Sequence, residues 1–598
     1  MFTTRPELLG TFGMVASTHW LASAAGMAML EAGGNAFDAA VAAGFTLQIV
    51  EPHLNGPGGD VPIIFHAAET GDTKVLCGQG PSPQAATIER LTEMGYNRVP
   101  GGGLLPAVVP GAFDAWLTMM RDHGTMDLPT VLAPAIHYAS GGFPVLPSIA
   151  DAIRRVEKLF SDEWTTSGDT WFRNGSAPAN HSLFQLPTLA QTYARLAACA
   201  EGKSREAGIE AARNEWREGF VAEAIDKFCR THETIDVTGN RPTGLLTGDD
   251  MARWQASYED PLTLDYRGMT VCKTGPWGQG PIFLQQLAIL KGFDLDRMDP
   301  LGPDFVHVVT EACKLAMADR EAYYGDPDFV DVPIETLLSD SYAAERRALI
   351  GDTASLELQP GQPDGRTPAL ADPIPSSETE RRLASLFGMG EPTQIDEDAE
   401  IKGDTCHVDV VDRWGNMVSA TPSGGWLQSS PCIPELGFCL GSRGQMFWLQ
   451  PGLPTSLAPG RRPRTTLTPT LVLRDGKPIL ALGTPGGDQQ DQWSLTMFAR
   501  WANHDLNLQQ TIDMPMFHND HAPSSFWPRE AQPGVLAVEG RFDMSTLTEL
   551  DARGHRLHHR DDWSLGRLSA VEREETANGV VLKAGANPRQ MQGYAVGR

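Results

Sequence analysis

The sequence predicts an α+β protein with antiparallel sheets. Helical segments, many of them rich in Ala, fill most of the first half of the chain, whereas short strands separated by turns dominate the part after residue 405, with further helices near the end. This order is typical of layered α+β folds and not of alternating βαβ units. The chain also lacks a G-x-G-x-x-G motif after a strand, a P-loop and a G-x-S-x-G elbow, which are signatures of parallel α/β enzymes.

Composition and charge limit the functional classes. The chain has 598 residues, with 41% hydrophobic and 21% charged residues, as in an ordinary globular protein. Its formal net charge of −27 disfavours binding to nucleic acid, because such a surface repels phosphate backbones. The eight cysteines form no C-x-x-C pair and are predicted to be reduced. With no signal peptide and no apolar run of about 18 residues, we expect a cytoplasmic protein without membrane contact.

The elements of the first part follow from hydrophobic spacing and from glycine. Residues 22 to 50 predict two Ala-rich helices, broken at residues 31 to 35, where Gly and Asn favour a helix end. The stretch NGPGGD, residues 55 to 60, predicts a turn before a pair of strands. Residues 127 to 230 are mostly helical, residues 260 to 274 read as two strands around Arg267 and Gly268, and residues 303 to 325 predict an amphipathic helix.

A change of character precedes the strands of the last third. Residues 358 to 404 are rich in Pro, Gly and acidic residues, so we expect this segment to bury little surface and to be mobile. Strands follow in CHVDVVD, MVSATPS, TLTPTLVLRDG and PILALGTPGG, then helices near residues 494 to 504 and 543 to 554, and strands near residues 568 to 582. The turn at Gly415 and Asn416 predicts a hairpin between the first two strands.

Thr405 stands where the acidic segment meets the first of these strands, in the sequence GDTCH. A threonine hydroxyl is a weak nucleophile and needs a base, which a free α-amine on the same residue can supply. An α-amine has a pKa of about 7.7 to 8.0, which suits proton transfer at neutral pH. Cleavage between Asp404 and Thr405 would create that amine, although a threonine is also a common first residue of a strand.

Two further features favour a catalytic threonine. The hairpin would bring Ser423 beside Thr405, where its hydroxyl could orient the amine. Gly486 and Gly487 directly follow a strand, and two adjacent backbone N–H groups without side chains can form an oxyanion hole, although they can equally form an ordinary tight turn.

Together these motifs resemble the γ-glutamyltranspeptidase family of N-terminal-nucleophile hydrolases. The resemblance covers nearly the whole chain, in GMVASTHWLASAAGMAMLEAGGNAFDAAVAAG, LNGPGGD, VPGAFDAW, LTGDDMARW, YGDPDFVDVP, GDTCHVDVVDRWGNMVSATPS, RPRTTLTPTLVLRDGKP and LGTPGGDQQ. It implies a four-layer αββα sandwich and self-cleavage after Asp404 into a large subunit, residues 1 to 404, and a small subunit, residues 405 to 598. It implies no metal and no cofactor, and it leaves open a higher oligomer.

The resemblance also implies roles for single residues. Thr405 is similar to the family's nucleophile, and Ser423 stands where the family has a second hydroxyl. Gly486 and Gly487 match the oxyanion pair. Thr465 and Thr466 stand where the family has two serines that bind the substrate carboxylate, and Gln445 matches a glutamine near the substrate amine.

Three positions depart from the pattern of γ-glutamyl enzymes. Gln79 stands at the position of an arginine that pairs with the substrate carboxylate, Trp448 at that of an aspartate that holds the substrate ammonium, and Gly425 at that of an asparagine. Loss of a charged partner on each side of a zwitterion costs several kcal/mol. The departures therefore predict a small-molecule amide with a non-glutamyl acyl group, as in the oxamate amidohydrolase and cephalosporin acylase branches of the family.

Other interpretations stay open at this level. A true γ-glutamyl hydrolase or transferase is one alternative, and an unprocessed binding protein is another. Trp426, Phe447 and Trp448 are candidate walls of the acyl pocket, or plain core aromatics. The His-rich stretches FHNDH and GHRLHHRDDW lack the ligand spacing of a metal site, so we expect structural or surface histidines. Cys406 should face the core, because neighbouring residues of a strand point to opposite faces.

Overall fold

A computed structural model describes residues 2 to 387 and 405 to 598 of the chain. The strands are β1 (Leu8–Gly10), β2 (Gly13–Ser17), β3 (Val61–Ala67), β4 (Asp72–Gly78), β5 (Phe143–Pro144), β6 (Leu183–Phe184), β7 (Ser257–Glu259), β8 (Leu262–Tyr266), β9 (Met269–Lys273), β10 (Val408–Asp412), β11 (Met417–Ala420), β12 (Thr470–Arg474), β13 (Lys477–Gly483), β14 (Phe517–Asn519), β15 (Val535–Glu539), β16 (Arg556–Arg560), β17 (Ser569–Thr576), β18 (Gly579–Ala586) and β19 (Tyr594–Gly597).

The helices are α1 (Trp20–Glu31), α2 (Ala36–Val50), α3 (Ile88–Glu93), α4 (Ala112–His123), α5 (Leu128–Gly141), α6 (Pro147–Arg155), α7 (Glu157–Asp162), α8 (Thr165–Trp171), α9 (Pro187–Ala198), α10 (Arg205–Arg217), α11 (Phe220–Thr231), α12 (Gly248–Arg253), α13 (Gly280–Leu290), α14 (Pro303–Tyr323), α15 (Ile334–Leu337), α16 (Asp340–Arg347), α17 (Glu378–Phe387), α18 (Gln490–Asn503), α19 (Leu508–Asp513) and α20 (Met544–Ala552). Short 3-10 turns include Arg443–Met446 and Gly487–Gln489.

Two seven-stranded antiparallel sheets form the centre of the molecule. The first sheet has the order β19-β2-β10-β11-β3-β4-β7, and the second sheet has the order β1-β18-β17-β13-β12-β9-β8. Smaller sheets join β14, β15 and β16, and β5 and β6. Strands far apart in sequence are neighbours, so that β2 near the N-terminus lies between β10 and β19.

Three apolar cores show that the sheets and helices form four layers. One core joins the first sheet, through Val408 and Val410, to α1, α2, α4 and α5. Another joins the second sheet to α13, α14 and α18. A third core lies between the two sheets and contains Met14, Ile64, Val411, Leu471 and Ala481. The predicted αββα sandwich is therefore confirmed, and the face between the sheets is a distinct environment.

The Ala-rich helices pack as closely as their composition predicts. Asn35 caps α2 by accepting hydrogen bonds from the backbone of Phe37 and Asp38, which completes a capping box. All of α2 is buried, and a Cβ on Gly44 would lie 2.5 Å from the ring of Trp116. A larger residue at position 44 would therefore separate α2 from α4.

The hairpin of β10 and β11 is fixed by one carboxylate. Asp412 accepts hydrogen bonds from the backbone of Trp414 and Asn416, each at 2.9 to 3.0 Å, and its other oxygen accepts from the Ala36 N–H at 2.9 Å. Gly415 has a φ of 95°, which glycine adopts without strain. The predicted turn is confirmed, and the same carboxylate ties the hairpin to the start of α2.

The segment before residue 405 differs in part from the expectation. Residues 378 to 387 form helix α17, whose Leu383, Ala384 and Phe387 are buried in the core of the first helical layer. Glu380 of this helix pairs with Arg98 at 2.8 Å. The prediction that the segment buries little is wrong for this helix, because its apolar residues share one face. Residues 388 to 404, including the expected cleavage position after Asp404, lie outside the described residues.

In the described ranges, no helix combines the length and the apolar character needed to cross a bilayer.

Two buried histidines predict a loss of stability in acid. Burial lowers the pKa of His19 and of His53 to about 3, whereas an unfolded histidine titrates near 6.5. The unfolded chain therefore binds protons that the native chain does not, and stability present above about pH 6.5 is lost as the pH falls toward 3. Each histidine would contribute up to about 1.4 kcal/mol per pH unit. Urea unfolding of wild type and His53→Gln at pH 7, 6 and 5 should show a shallower decline for the variant.

The exposed His137 provides a control for the substitution itself, and His137→Gln should keep the wild-type stability at pH 7. Equal slopes for wild type and His53→Gln would contradict the prediction.

Candidate active site

Three chain segments meet side by side at one end of the first sheet. The backbone of Ser423 pairs antiparallel with Thr405 and with Asp60, and the Ser423 N–H donates to the Asp60 carbonyl at 3.0 Å. Directly paired residues of antiparallel segments point their side chains to the same face. Thr405, Ser423 and Asp60 therefore form a row, and the Thr405 hydroxyl lies 3.3 Å from the Ser423 hydroxyl.

This row faces the space between the two sheets. Val408 and Val410 point into the core of the first helical layer and Val411 into the core between the sheets, so the odd-numbered residues of this segment face the second sheet. Thr405 belongs to the odd-numbered set and is only 1% exposed. The site therefore lies at one end of the layer between the sheets.

Cys406 points away from this site, as predicted. It lies in the core of the first helical layer, where its thiol donates to Glu51 Oε2 at 3.0 Å. Burial, together with the nearby Glu51 carboxylate, raises the pKa of the thiol well above its ordinary value. Cys406 is thus a protonated core residue on the opposite face from Thr405, which rules it out as a thiolate nucleophile.

The glycine pair follows strand β13, whose last residue touches the segment after Thr405. Gly483, the last residue of β13, touches the ring of His407, where a Cβ would come within 2.2 Å. Gly486 and Gly487 have φ angles of 135° and 54°, which favour glycine at both positions. The Gly487 carbonyl accepts from the Gln279 amide at 3.3 Å, which fixes the turn.

The two threonines before β12 differ in their contacts. The Thr465 N–H donates to the Trp277 carbonyl at 3.0 Å, and the Thr465 hydroxyl donates to Asp60 Oδ2 at 3.5 Å, the upper limit for a hydrogen bond. The Thr465 side chain thus reaches the row formed by Thr405, Ser423 and Asp60. The buried Thr466 hydroxyl has no hydrogen-bond partner among the described residues, so it has free capacity for a ligand.

An ion pair that sequence reasoning missed lies beside this row. The Arg443 guanidinium donates to Asp60 Oδ1 from Nη2 at 3.0 Å and from Nε at 3.3 Å, and both side chains are almost fully buried. Burial raises the pKa of Asp60, and the Arg443 charge opposes that rise. Asp60 ends the LNGPGGD motif, but its partner stands 383 positions away and no spacing in the sequence could join them.

Arg567 was also missed by sequence reasoning. Its Nη2 donates to the Thr405 carbonyl at 3.4 Å, and its Nη1 donates to the Gln590 side chain at 3.0 Å. It therefore brings a positive charge from the segment before β17 to the backbone of Thr405.

Gly425 is required by close packing of backbone. Its φ is 64°, and a Cβ there would lie 2.7 Å from the Gly59 nitrogen and 2.8 Å from the Gly58 carbonyl carbon. The volume that the family's asparagine side chain would need is occupied here by the backbone of the LNGPGGD motif. The absence of a side chain at 425 therefore does not enlarge the site.

The remaining predicted substrate contacts are held by protein groups to different degrees. The Gln445 amide donates to the Gly101 carbonyl and to Ser442, and its oxygen accepts from the Trp527 N–H at 2.9 Å. Gln79 donates to the Gly80 carbonyl at 3.0 Å, while its buried oxygen has no partner in the described part of the chain. The Trp448 ring packs under the Arg529 guanidinium at 4.3 Å.

The three candidate aromatic walls do not form one surface. Trp426 clusters with Met446 and Phe526, whereas Phe447 belongs to a separate apolar cluster. Phe526 also lies against Gly487, where a Cβ would meet its ring at 3.1 Å. Of the three candidates, Trp426 therefore belongs to a cluster that reaches the glycine pair.

One group of potential metal ligands occurs among the described residues, namely His307, Glu311 and His555. His307 Nδ1 and His555 Nε2 are hydrogen-bonded at 2.9 Å, and Lys314 donates to Glu311 at 2.7 Å. Burial lowers the pKa of His555 to about 3. The potential metal-ligating atoms are therefore hydrogen-bonded to other protein groups, as in a packed polar cluster.

The packing of Gly425 predicts the effect of restoring the family's asparagine. Asparagine tolerates a positive φ, so Gly425→Asn tests the space alone. Because its side chain would meet the backbone of Gly58 and Gly59, we expect the free energy of unfolding to fall by about 1 to 3 kcal/mol. Gly476→Asn is the matched control, since Gly476 has a φ of 75° and no atom within 4 Å of a Cβ. Equal stabilities of the two variants in urea would refute the packing argument.

Comparisons with known proteins identify the family of the chain. The gamma-glutamyltranspeptidase family matches residues 22 to 597. The glutathione hydrolase-like YwrD proenzyme of Bacillus subtilis is 31% identical over 99% of both chains, and the oxamate amidohydrolase proenzyme of Klebsiella pneumoniae is 31% identical over 98% of this chain and 99% of its own. The structure of LmbA2991HD aligns over the whole of both chains with 52% identity and a TM-score of 0.91. The cephalosporin acylase of Bacillus halodurans aligns over 100% of this chain and 97% of its own with 28% identity and a TM-score of 0.82. The chain therefore belongs to the gamma-glutamyltranspeptidase family, and it is an enzyme of the amidohydrolase and acyltransferase type.

Proposed function

We propose that the protein is a self-processing amidohydrolase that cleaves an amide bond through an acyl-enzyme on Thr405. Cleavage after Asp404 gives a large subunit of 404 residues and a small subunit of 598 − 404 = 194 residues. The observation that carries the proposal is the position of the Thr405 hydroxyl, buried between the sheets and 3.3 Å from the Ser423 hydroxyl.

The reaction follows from the groups around Thr405. The α-amine released by cleavage takes the proton of Oγ1, and Oγ1 attacks the carbonyl carbon of the amide. The backbone N–H groups of Gly486 and Gly487 are proposed to stabilise the oxyanion, and a donor of this kind contributes roughly 10² to 10³ in rate. The C–N bond then breaks, and the amine leaves with the proton. Water attacks the resulting ester, restores the threonine and releases the acid.

Relatives of the chain support processing. The YwrD and oxamate amidohydrolase relatives and the glutathione hydrolase of Escherichia coli are all named proenzymes. The first strand of the proposed small subunit is anchored between β2 and β11, so a new N-terminus at Thr405 would stay in place.

The acyl group is proposed to be non-glutamyl. Gln79 and Trp448 replace the two charged residues with which γ-glutamyl enzymes bind a zwitterion, and Trp448 packs against Arg529. Relatives named oxamate amidohydrolase and acylase agree with this choice. The glutathione hydrolases of Bacillus subtilis and Escherichia coli, both 28% identical, favour γ-glutamyl hydrolysis or transfer as the second candidate.

Thr405→Ala tests the nucleophile in both of its roles. Purified wild-type protein should give two bands on a denaturing gel, and the variant should give one band and no amide turnover, because it has no hydroxyl for either step. Thr405→Ser retains a hydroxyl and should be cleaved, and Cys406→Ala should be cleaved as wild type. A stable single band from wild-type protein would contradict the proposal.

A further inference from the structure

We propose that the Asp60–Arg443 ion pair determines the acyl specificity of this enzyme, selecting acyl groups that end in an uncharged group able to accept and donate hydrogen bonds, such as a carboxamide. This inference rests on the proposed function, since it describes the substrate of the Thr405 site.

The ion pair lies on the reactive face of the first sheet. Asp60 is paired with Ser423, and Ser423 with Thr405, so the three side chains point into the same layer between the sheets. Each pairing step separates side chains by about 5 Å, so Asp60 lies roughly 10 Å from Thr405. An acyl group bound at Thr405 and extended along this row brings its far end to the ion pair.

Both partners keep unused hydrogen-bonding capacity. Arg443 spends Nε and Nη2 on a single oxygen of Asp60, while its Nη1 is buried and has no partner among the described residues. Among the described residues, the side-chain contact to the second oxygen of Asp60 is the long one from Thr465 at 3.5 Å. Buried polar atoms without partners are rare in native proteins and call for an explanation. The ion pair thus offers one strong donor, Arg443 Nη1, and one strong acceptor, Asp60 Oδ2.

The net charge of the ion pair indicates the charge of the group that it binds. Asp60 and Arg443 neutralise each other at 3.0 Å, with side chains 3% and 2% exposed. An anionic or cationic ligand would leave a net charge in a buried place, which is costly. An uncharged group with an acceptor for Arg443 and a donor for Asp60 leaves the net charge of the buried site at zero. A carboxamide carries both on one carbon.

The absence of a side chain at Gly424 leaves space for the ion pair. Gly424 has a φ of 75°, and a Cβ there would lie 2.8 Å from Asp60 Oδ1 and 3.6 Å from Arg443 Nη2. The Arg443 guanidinium also lies over the Trp426 ring, at 5.8 Å, in the cluster that reaches Gly487. The pair is therefore tied both to the Ser423 segment and to the aromatic side of the site.

The test uses four 4-nitroanilides of equal acyl chain length, whose acyl groups end in a methyl group, a carboxamide, a carboxylate or the γ-glutamyl zwitterion. Processed wild-type protein should turn over the carboxamide with kcat/KM about tenfold to a hundredfold above the methyl compound, the range expected of hydrogen bonds to charged groups. Arg443→Met should lose this preference, because kcat/KM should fall much further for the carboxamide than for the methyl compound.

Controls separate specificity from folding. Arg213→Met removes a similarly buried arginine, which pairs with Asp114 at 2.8 Å within the first helical layer, and it should keep the wild-type ranking of substrates. If Arg443→Met does not fold, the wild-type ranking and Asp60→Asn decide the question, because Asp60→Asn should also reduce the preference for the carboxamide.

The outcomes distinguish the two proposals. A wild-type preference for the methyl or carboxylate compound, or an equal loss on all compounds in Arg443→Met, overturns the role of the ion pair and leaves the Thr405 mechanism intact. A preference for the γ-glutamyl compound overturns this inference and the non-glutamyl assignment together. Failure of the nucleophile itself appears separately, as a single band on the gel.

Discussion

The pairing of Ser423 with both Thr405 and Asp60 is the constraint on which the site depends. Ser423 exchanges two backbone hydrogen bonds with Asp60, and the Cys406 N–H donates to the Pro422 carbonyl at 2.9 Å on the other side. Three residues distant in sequence therefore have their side chains on one face at fixed spacing. A shift of one residue in this register would turn Thr405 into the helical layer, where Cys406 now lies. The geometry of the candidate site is therefore a consequence of the sheet register, which the buried apolar faces on both sides of the sheet fix.

Glycine residues allow the backbones of these segments to approach closely enough to pair. Gly58 and Gly59 approach the backbone of residues 423 to 425 and 439 so nearly that a Cβ on either would come within about 2.1 Å of a carbonyl oxygen. Such contacts leave no room for side chains and hold Asp60 in one place. The glycines of this motif, which the sequence predicts as a turn, are sites of dense backbone packing, and Gly425 belongs to the same arrangement.

Much of the fold could be predicted from local sequence. The break between α1 and α2, the hairpin at Gly415 and the strands around Arg267 depend on caps, turns and alternation within a few residues. Helix α17 was missed because the prolines and acidic residues around it dominate the composition of that segment. Its burial depends on a distant surface and on Arg98, and composition carries no information about either.

The candidate site divides in the same way. Thr405, Ser423 and the glycine pair were predicted because their motifs are short, and the structure gathers Thr405 and Ser423 at 3.3 Å. Asp60 and Arg443 could not be predicted, because each is unremarkable within its own motif and their relation exists only after folding.

The ion pair changes the meaning of the departures at positions 79 and 448. An arginine and an aspartate at separate positions can each bind one charge of a zwitterion, because each is free to face the ligand. In this chain an arginine and an aspartate are present, but they bind each other at 3.0 Å and present a neutral, polar surface. A zwitterion would have to compete with that attraction for both of its contacts, whereas an uncharged dipolar group uses only the atoms that the pair leaves open. With the proposed specificity, the chain keeps charged side chains in its site while favouring a ligand without charge at that end.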